Sequence, residues 1–206
     1  MTVASLPMYD LPEIEAATNK WWGGLARAFR REGIADVPDN LWRGASYRAV
    51  WTQKDLLLSQ TCGYPLTHEL RGKVRLVATP CYSAPGCNGP EYCSVVVVPG
   101  DSTAGGVSEL AGTRCAINSR DSQSGYNALR ALIAPVSPGK RFFREVTISG
   151  SHLHSLRMVS EGKADVSAID CVTYALLSRY RPHAIDRVRS LCLRSEERRV
   201  GKECRL

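Results

Sequence analysis

Short apolar runs alternate with segments of helical periodicity along most of this chain. Val3 to Pro7 reads as a strand, and Ile14, Ala17, Trp21, Leu25 and Phe29 then recur at three- and four-residue spacing. That spacing predicts one amphipathic helix ending near Gly33. Asp10 is placed to cap it and Glu13 to reciprocate. Leu56 to Ser59 reads as a second strand, followed by the turn Thr61-Cys62-Gly63-Tyr64-Pro65 and a brief helix. Val74 to Thr79 reads as a third strand, running into a Pro- and Gly-rich stretch from Pro80 to Pro90 that predicts a crossing between two lobes.

Beyond it, Cys93 to Val98 reads as an apolar strand bounded by Pro99-Gly100, and Cys115 to Asn118 as another strand. Strand Val146 to Ser149 precedes a helix from about His152 to Glu161. Strand Asp165 to Ile169 precedes a helix from Cys171 to about Arg179, and Val188 to Leu193 returns as a strand. The alternation predicts an α/β fold with mainly parallel sheets. In such sheets ligands gather at the C-terminal strand ends, where Tyr9, Asn118, Gly150 and Asp170 fall. The expected organisation is a first lobe over 1–80, a crossing or hinge over 81–92, a second lobe over 93–184 and a return strand over 185–194. Residues 195–206 are polar, lack core periodicity and are similar to adapter-derived sequence, so a disordered, non-native tail on a C-terminally truncated chain is expected there.

The chain has 206 residues, 44% of them hydrophobic, ample for a packed core. No stretch approaches the roughly 20 apolar residues that span a bilayer, and Met1 to Pro7 has neither a basic n-region nor a long apolar h-region. The net charge of +7 is spread among acids without a basic stripe, so no nucleic-acid partner is expected, whereas a small anion suits it. Eight cysteines, at 62, 81, 87, 93, 115, 171, 192 and 204, form no zinc-type pairs of CxxC. Cys115, Cys171 and Cys192 sit in apolar patterns and read as small buried hydrophobes, which suits a reducing compartment. In an exported protein, Cys87 and Cys93 are spaced to close a small loop. No metal is expected, because His152 and His154 do not share a helix face, and no cofactor motif of the GxGxxG or GxxxxGK kind occurs.

The candidate chemistry centres on Asp121-Ser122-Gln123-Ser124-Gly125-Tyr126-Asn127, which follows the strand ending at Asn118 and opens a helix. The first helical turn offers unpartnered N–H groups and partial positive charge, and the serines and glycine let an oxyanion approach. A serine there also serves as a plain N-cap. Asp170 is placed either to accept from an amino or hydroxyl group of a ligand or to cap the next helix. Ser124, His152 and Asp170 nominally supply a nucleophilic triad, but Ser124 lacks the GxSxG elbow. Cys171 falls on an apolar helix face. No catalytic residue is expected.

Several motifs carry a resemblance: Ser5-Leu6-Pro7-Met8-Tyr9-Asp10, Gln60-Thr61-Cys62-Gly63-Tyr64-Pro65-Leu66, Ala78-Thr79-Pro80, Ala84-Pro85-Gly86-Cys87, Ser122-Gln123-Ser124-Gly125, Gly150-Ser151-His152 and Asp165-Val166-Ser167-Ala168-Ile169-Asp170. From Val3 to about Leu191 the chain resembles the phosphonate-type substrate-binding proteins of ABC transporters, of the type II periplasmic binding protein fold. The resemblance implies a two-lobed α/β architecture that closes on its ligand by a hinge, a membrane permease as partner and a periplasmic or cell-envelope location. With no export signal read, a cytoplasmic location stays open. By matching positions, Ser122, Gln123, Ser124 and the Gly125 amide are implied to hold a phosphonate-, phosphite- or phosphate-like anion. His152 is implied to lie near it, with Tyr9 reaching across the cleft and Tyr64 joining. The alternatives are enzymes on the same fold: a hydrolase, or a thiamine-pathway pyrimidine-forming protein, whose cysteine-rich signature is not found here.

Overall fold

Leu56–Ser59 (β2) pairs in parallel with Val3–Ser5 (β1), Ala4 lying opposite Leu58. In this computed structural model, which describes residues 2–44, 46–139 and 141–197, the chain forms two units, residues 1–62 with 66–75 and residues 63–65 with 76–206.

In the first unit, helix Glu15–Arg31 (α1) packs Trp22 and Ala26 with Ala4, Leu6, Val37 and Leu41, and Leu25 and Phe29 extend this core. The buried stripe is Thr18, Trp22 and Ala26, one position round from the expected face; Ala17 is exposed and Trp21 is 40% exposed. Periodicity tolerates either of the adjacent tryptophans, and Trp22 is the one that is buried while its Nε1 finds a backbone partner, donating to the Pro38 carbonyl at 3.1 Å. The capping expectation also fails. No side chain caps the turn Pro12–Ile14 that leads into α1, and Asp10 instead accepts from Arg43 Nε at 2.6 Å, because an ion pair outbids an amide for that carboxylate. Helix Tyr47–Trp51 (α2) supplies Val50 and Trp51 to a second cluster with Leu70. Val74 to Thr79 forms no strand. Val74 packs on that cluster, but Leu76 and Val77 are 38% and 56% exposed, so the alternation has no sheet face to bury.

The short helix Gly63–Thr67 (α3) lies where the two units interleave in sequence. The second unit is built on a five-stranded sheet of Tyr92–Pro99 (β3), Arg114–Ile117 (β4), Glu145–Ile148 (β5), Val166–Asp170 (β6) and Val188–Glu197 (β7), in the order β5-β4-β6-β3-β7. β4 runs parallel to β5 and β6, whereas β3 is antiparallel to β6 and β7. Helix Ala128–Ile133 (α4) packs Leu129 and Ile133 with Val96, Val98, Cys115, Ile117, Val166 and Ala168. Helices His152–Ser160 (α5) and Cys171–Tyr180 (α6) also pack on β3 and bury Leu156, Val159 and Leu177. β3 is therefore enclosed on both faces, which is why Val95 to Val98 shows no alternation. Each such valine contributes about 1.5–3 kcal/mol of burial. β7 pairs with β3 and runs to Glu197, past the expected end at 194. Of the expected tail, residues 198–206 lie outside the described residues.

Candidate functional site

β5, β4 and β6 are adjacent and parallel, so their C-terminal ends share one edge. The chain leaves β4 through Asn118 into the turn Gln123–Asn127, leaves β5 through Gly150 into α5 at His152, and leaves β6 at Asp170 directly into α6. The antiparallel β3 brings Ser94 opposite Asp170 at the same edge. Ser94 Oγ donates to the Ser124 carbonyl at 3.0 Å, in a buried contact that pins the turn to the sheet.

That turn is wider than an α-helical one. Asn127 N donates to the Ser122 carbonyl at 3.1 Å, a π-type closure of the kind often found at functional sites. Ser122 Oγ accepts from Gly125 N at 3.0 Å. Ser122 is thus the N-cap, and the Gly125 amide is satisfied within the turn, so two of the four groups expected on the anion hold each other here. The amides of Gln123 and Ser124 precede the first helical bond. Ser124 Oγ lies 3.1 Å from His152 Nε2. Ser122, Ser124 and Gly125 are buried and Gln123 is half-buried. Gly125 is a steric requirement: a Cβ there would lie 1.9 Å from Asn118 Oδ1 and 3.0 Å from His152 Cε1.

Burial pushes the His152 imidazole below its ordinary pKa, while the Asp170 charge and the Ala168 carbonyl pull the other way. Its Nδ1, Asn118 Oδ1 and Ser167 Oγ are the buried side-chain polar atoms without a hydrogen-bond partner among the described residues. Two of these three belong to the residues that flank Gly125. Buried polar atoms are otherwise nearly always paired, so this pocket of polarity marks the edge as more than packing.

Asp170 Oδ1 accepts from Val172 N at 2.9 Å and Thr173 N at 3.0 Å, which caps α6. Ser151 likewise caps α5 through His154 N, and His154 Nδ1 lies 3.2 Å from the Ser149 carbonyl. Among the described residues no group of three or more His, Cys, Asp or Glu side chains is placed to hold a metal ion. Tyr64 is half-buried in α3, next to Gly63, whose Cβ position is 4.0 Å from Gln123 Cγ. Tyr9 belongs to the other unit, half-buried, with its carbonyl accepting from Leu11 N at 2.9 Å. Sequence reasoning missed Ser94, although one hydroxyl inside the apolar run Cys93 to Val98 is a visible signal. Ser167, likewise one hydroxyl inside the apolar run Val166 to Ile169, was missed in the same way.

The family described as ABC transporter, phosphonate, periplasmic substrate-binding protein matches residues 46–196. Among solved structures, PhnD1 of Prochlorococcus marinus in complex with methylphosphonate is similar over 94% of this chain and 71% of its own, at 17% identity and TM-score 0.69. A binding-protein component of an ABC phosphonate transporter from Pseudomonas aeruginosa is similar over 93% and 64%, at 13% identity and TM-score 0.63. The periplasmic aliphatic sulphonate-binding protein SsuA of Escherichia coli is similar over 94% and 60%, at 15% identity and TM-score 0.58. The chain thus spans 60% to 71% of the length of these three. No curated protein sequence matches it. At these identities the structural likeness establishes the fold, the two-lobed type II binding-protein fold.

Proposed function

Because the chain belongs to the phosphonate-type periplasmic substrate-binding proteins of ABC transporters, we propose that it captures a small phosphonate-, phosphite- or phosphate-like anion between two lobes and delivers it to a membrane permease. The observation that carries this is the contact of Ser124 with His152 on a helix-opening turn at the shared edge of three parallel strands. The anion takes the first-turn amides of Gln123 and Ser124 and the Ser124 hydroxyl, while Ser122 and Gly125 hold the turn in shape. Several charge-assisted hydrogen bonds then replace an Arg or Lys. His152 orients the Ser124 hydroxyl through Nε2 and gains a proton when the anion arrives. Asp170 supports the site as the α6 cap and as the charge that favours that proton. Tyr9 and Tyr64 contact the anion when it is bound, and the compartment is the periplasm.

A hydrolase reading draws on the same contact, since 3.1 Å is nucleophile-to-base spacing. Binding is favoured because Asp170 Oδ1 serves two backbone amides of α6 and the anion-facing turn is one the serine itself helps to form. Thermal unfolding against phosphate, phosphite, methylphosphonate, aminoethylphosphonate, sulfate and taurine tests it. A ligand at a hundred times its Kd adds about 2.7 kcal/mol of stability, and Ser124→Ala should cut that gain by about half or more. Turnover of phosphate or carboxyl esters that vanishes in Ser124→Ala would instead establish the enzyme.

A further inference from the structure

Three cysteines remote in sequence converge where the segment before β3 meets the start of α6. Cys87 Sγ lies 3.6 Å from Cys171 Sγ, across 84 residues of chain. Gly86 lies against Cys171 and the third thiol, Cys93: a Cβ there would sit 2.2 Å from Cys93 Sγ and 3.6 Å from Cys171 Sγ. Its φ of +88° is left-handed, so a residue without a side chain is what lets the backbone press onto the thiols. Ala84 and Cys87 close the turn that holds this approach, Cys87 N donating to the Ala84 carbonyl at 2.9 Å. Cys93 and Cys171 are buried, and Cys87 is half-buried.

We propose that Cys87 and Cys171 are a disulfide-forming pair that ties the segment before β3 to the first residue of α6. The oxidant is an external disulfide of the glutathione class. Cys87 is the thiol that solvent reaches, so its thiolate attacks the external S–S bond, forming a mixed disulfide and expelling one thiolate. The Cys171 thiolate then attacks Cys87 Sγ and expels the second. Two thiols lose two protons and two electrons, and one external disulfide becomes two thiols. Burial holds the Cys171 thiol far above its ordinary pKa, which makes the second step slow and leaves Cys87 as the entry point. The link adjoins Asp170 and so fastens the crossing segment to the sheet edge that carries the candidate site.

The test uses the full chain incubated with oxidised glutathione, acid-quenched, unfolded, alkylated and digested for mass spectrometry. A linked peptide pair bearing Cys87 and Cys171 is expected, lost on reduction with dithiothreitol, absent in Cys87→Ser and retained in Cys93→Ala. Glutathione on the exposed Cys81 reports that the oxidant acted. Cys87 recovered alkylated, as a glutathione adduct, or joined to Cys93 in that sample overturns the proposal, as does loss of the link in a folded Cys93→Ala variant.

Discussion

Ser124 Oγ and His152 Nε2 meet at 3.1 Å although they lie 28 residues apart and on different elements. The contact joins the turn after β4 to the start of α5, and its electrostatics give the first prediction.

His152 is held below its ordinary pKa by burial, so the unfolded chain binds this proton more readily than the folded one. The stability that the neutral imidazole contributes is therefore complete above the unfolded value near 6.5 and is lost as pH falls below it toward the folded value. Urea unfolding at pH 7.5 and pH 5.5 should show the loss, and His152→Gln should flatten it. An anion on Ser124 reverses the bias, so affinity should rise as pH falls through the same window. Affinity independent of pH between 5 and 8 would remove His152 from the site.

Gly125→Ala should cost about 1–3 kcal/mol by overpacking, because its Cβ would fall 1.9 Å from Asn118 Oδ1. Asn118→Ala in the same background relieves the clash and should recover part of that loss in denaturant titrations. Full additivity of the two substitutions would contradict the steric account.

Asp170→Ala should destabilise by about 1–2 kcal/mol through loss of the α6 cap, with Asp170→Asn milder because its amide oxygen still accepts from Val172 and Thr173. Both remove a charge that raises the His152 pKa, so NMR titration of the imidazole should move to lower pH in both.

Arg114 and Asp165 bind in a fork, Nη2 to Oδ1 at 2.6 Å and Nε to Oδ2 at 3.1 Å, where β4 begins beside the approach to β6. Both side chains are about one-third exposed, so Asp165→Asn should cost only about 0.5–1 kcal/mol. The hydrogen bonds from Arg114 hold the Asp165 carboxyl below its ordinary 3.8. That contribution is present above 3.8 and is lost as pH falls through the folded value, a window separate from that of His152. Acid unfolding of Asp165→Asn should lack this lower step.

Most elements were legible because burial on one or two faces writes itself as apolar runs and helical spacing: β2 was read at its observed bounds, and β3, α5 and α6 to within a residue or two. Pairing was less so. Nothing in Cys93 to Val98 says that its neighbours run antiparallel, since a strand enclosed on both faces loses its alternation whichever way its partners point. Val74 to Thr79 carried strand composition without a partner strand, and Trp21 with Trp22 offered two faces of which backbone partners chose one. In the candidate site, Ser122 to Gly125 and His152 were singled out from strand ends and resemblance. The reciprocal Ser122 and Gly125 bond, the Ser94 anchor and the meeting of Cys87 with Cys171 are tertiary facts that local sequence does not encode.

Isothermal titration of the full chain with methylphosphonate, phosphite and phosphate, repeated on Ser124→Ala, addresses the central claim most directly. Saturable binding of at least one of these anions, weakened at least about tenfold (1.4 kcal/mol) in the variant, is the predicted result. Equal binding by both proteins, or no binding of any of the three by a chain that melts cooperatively, would contradict the account.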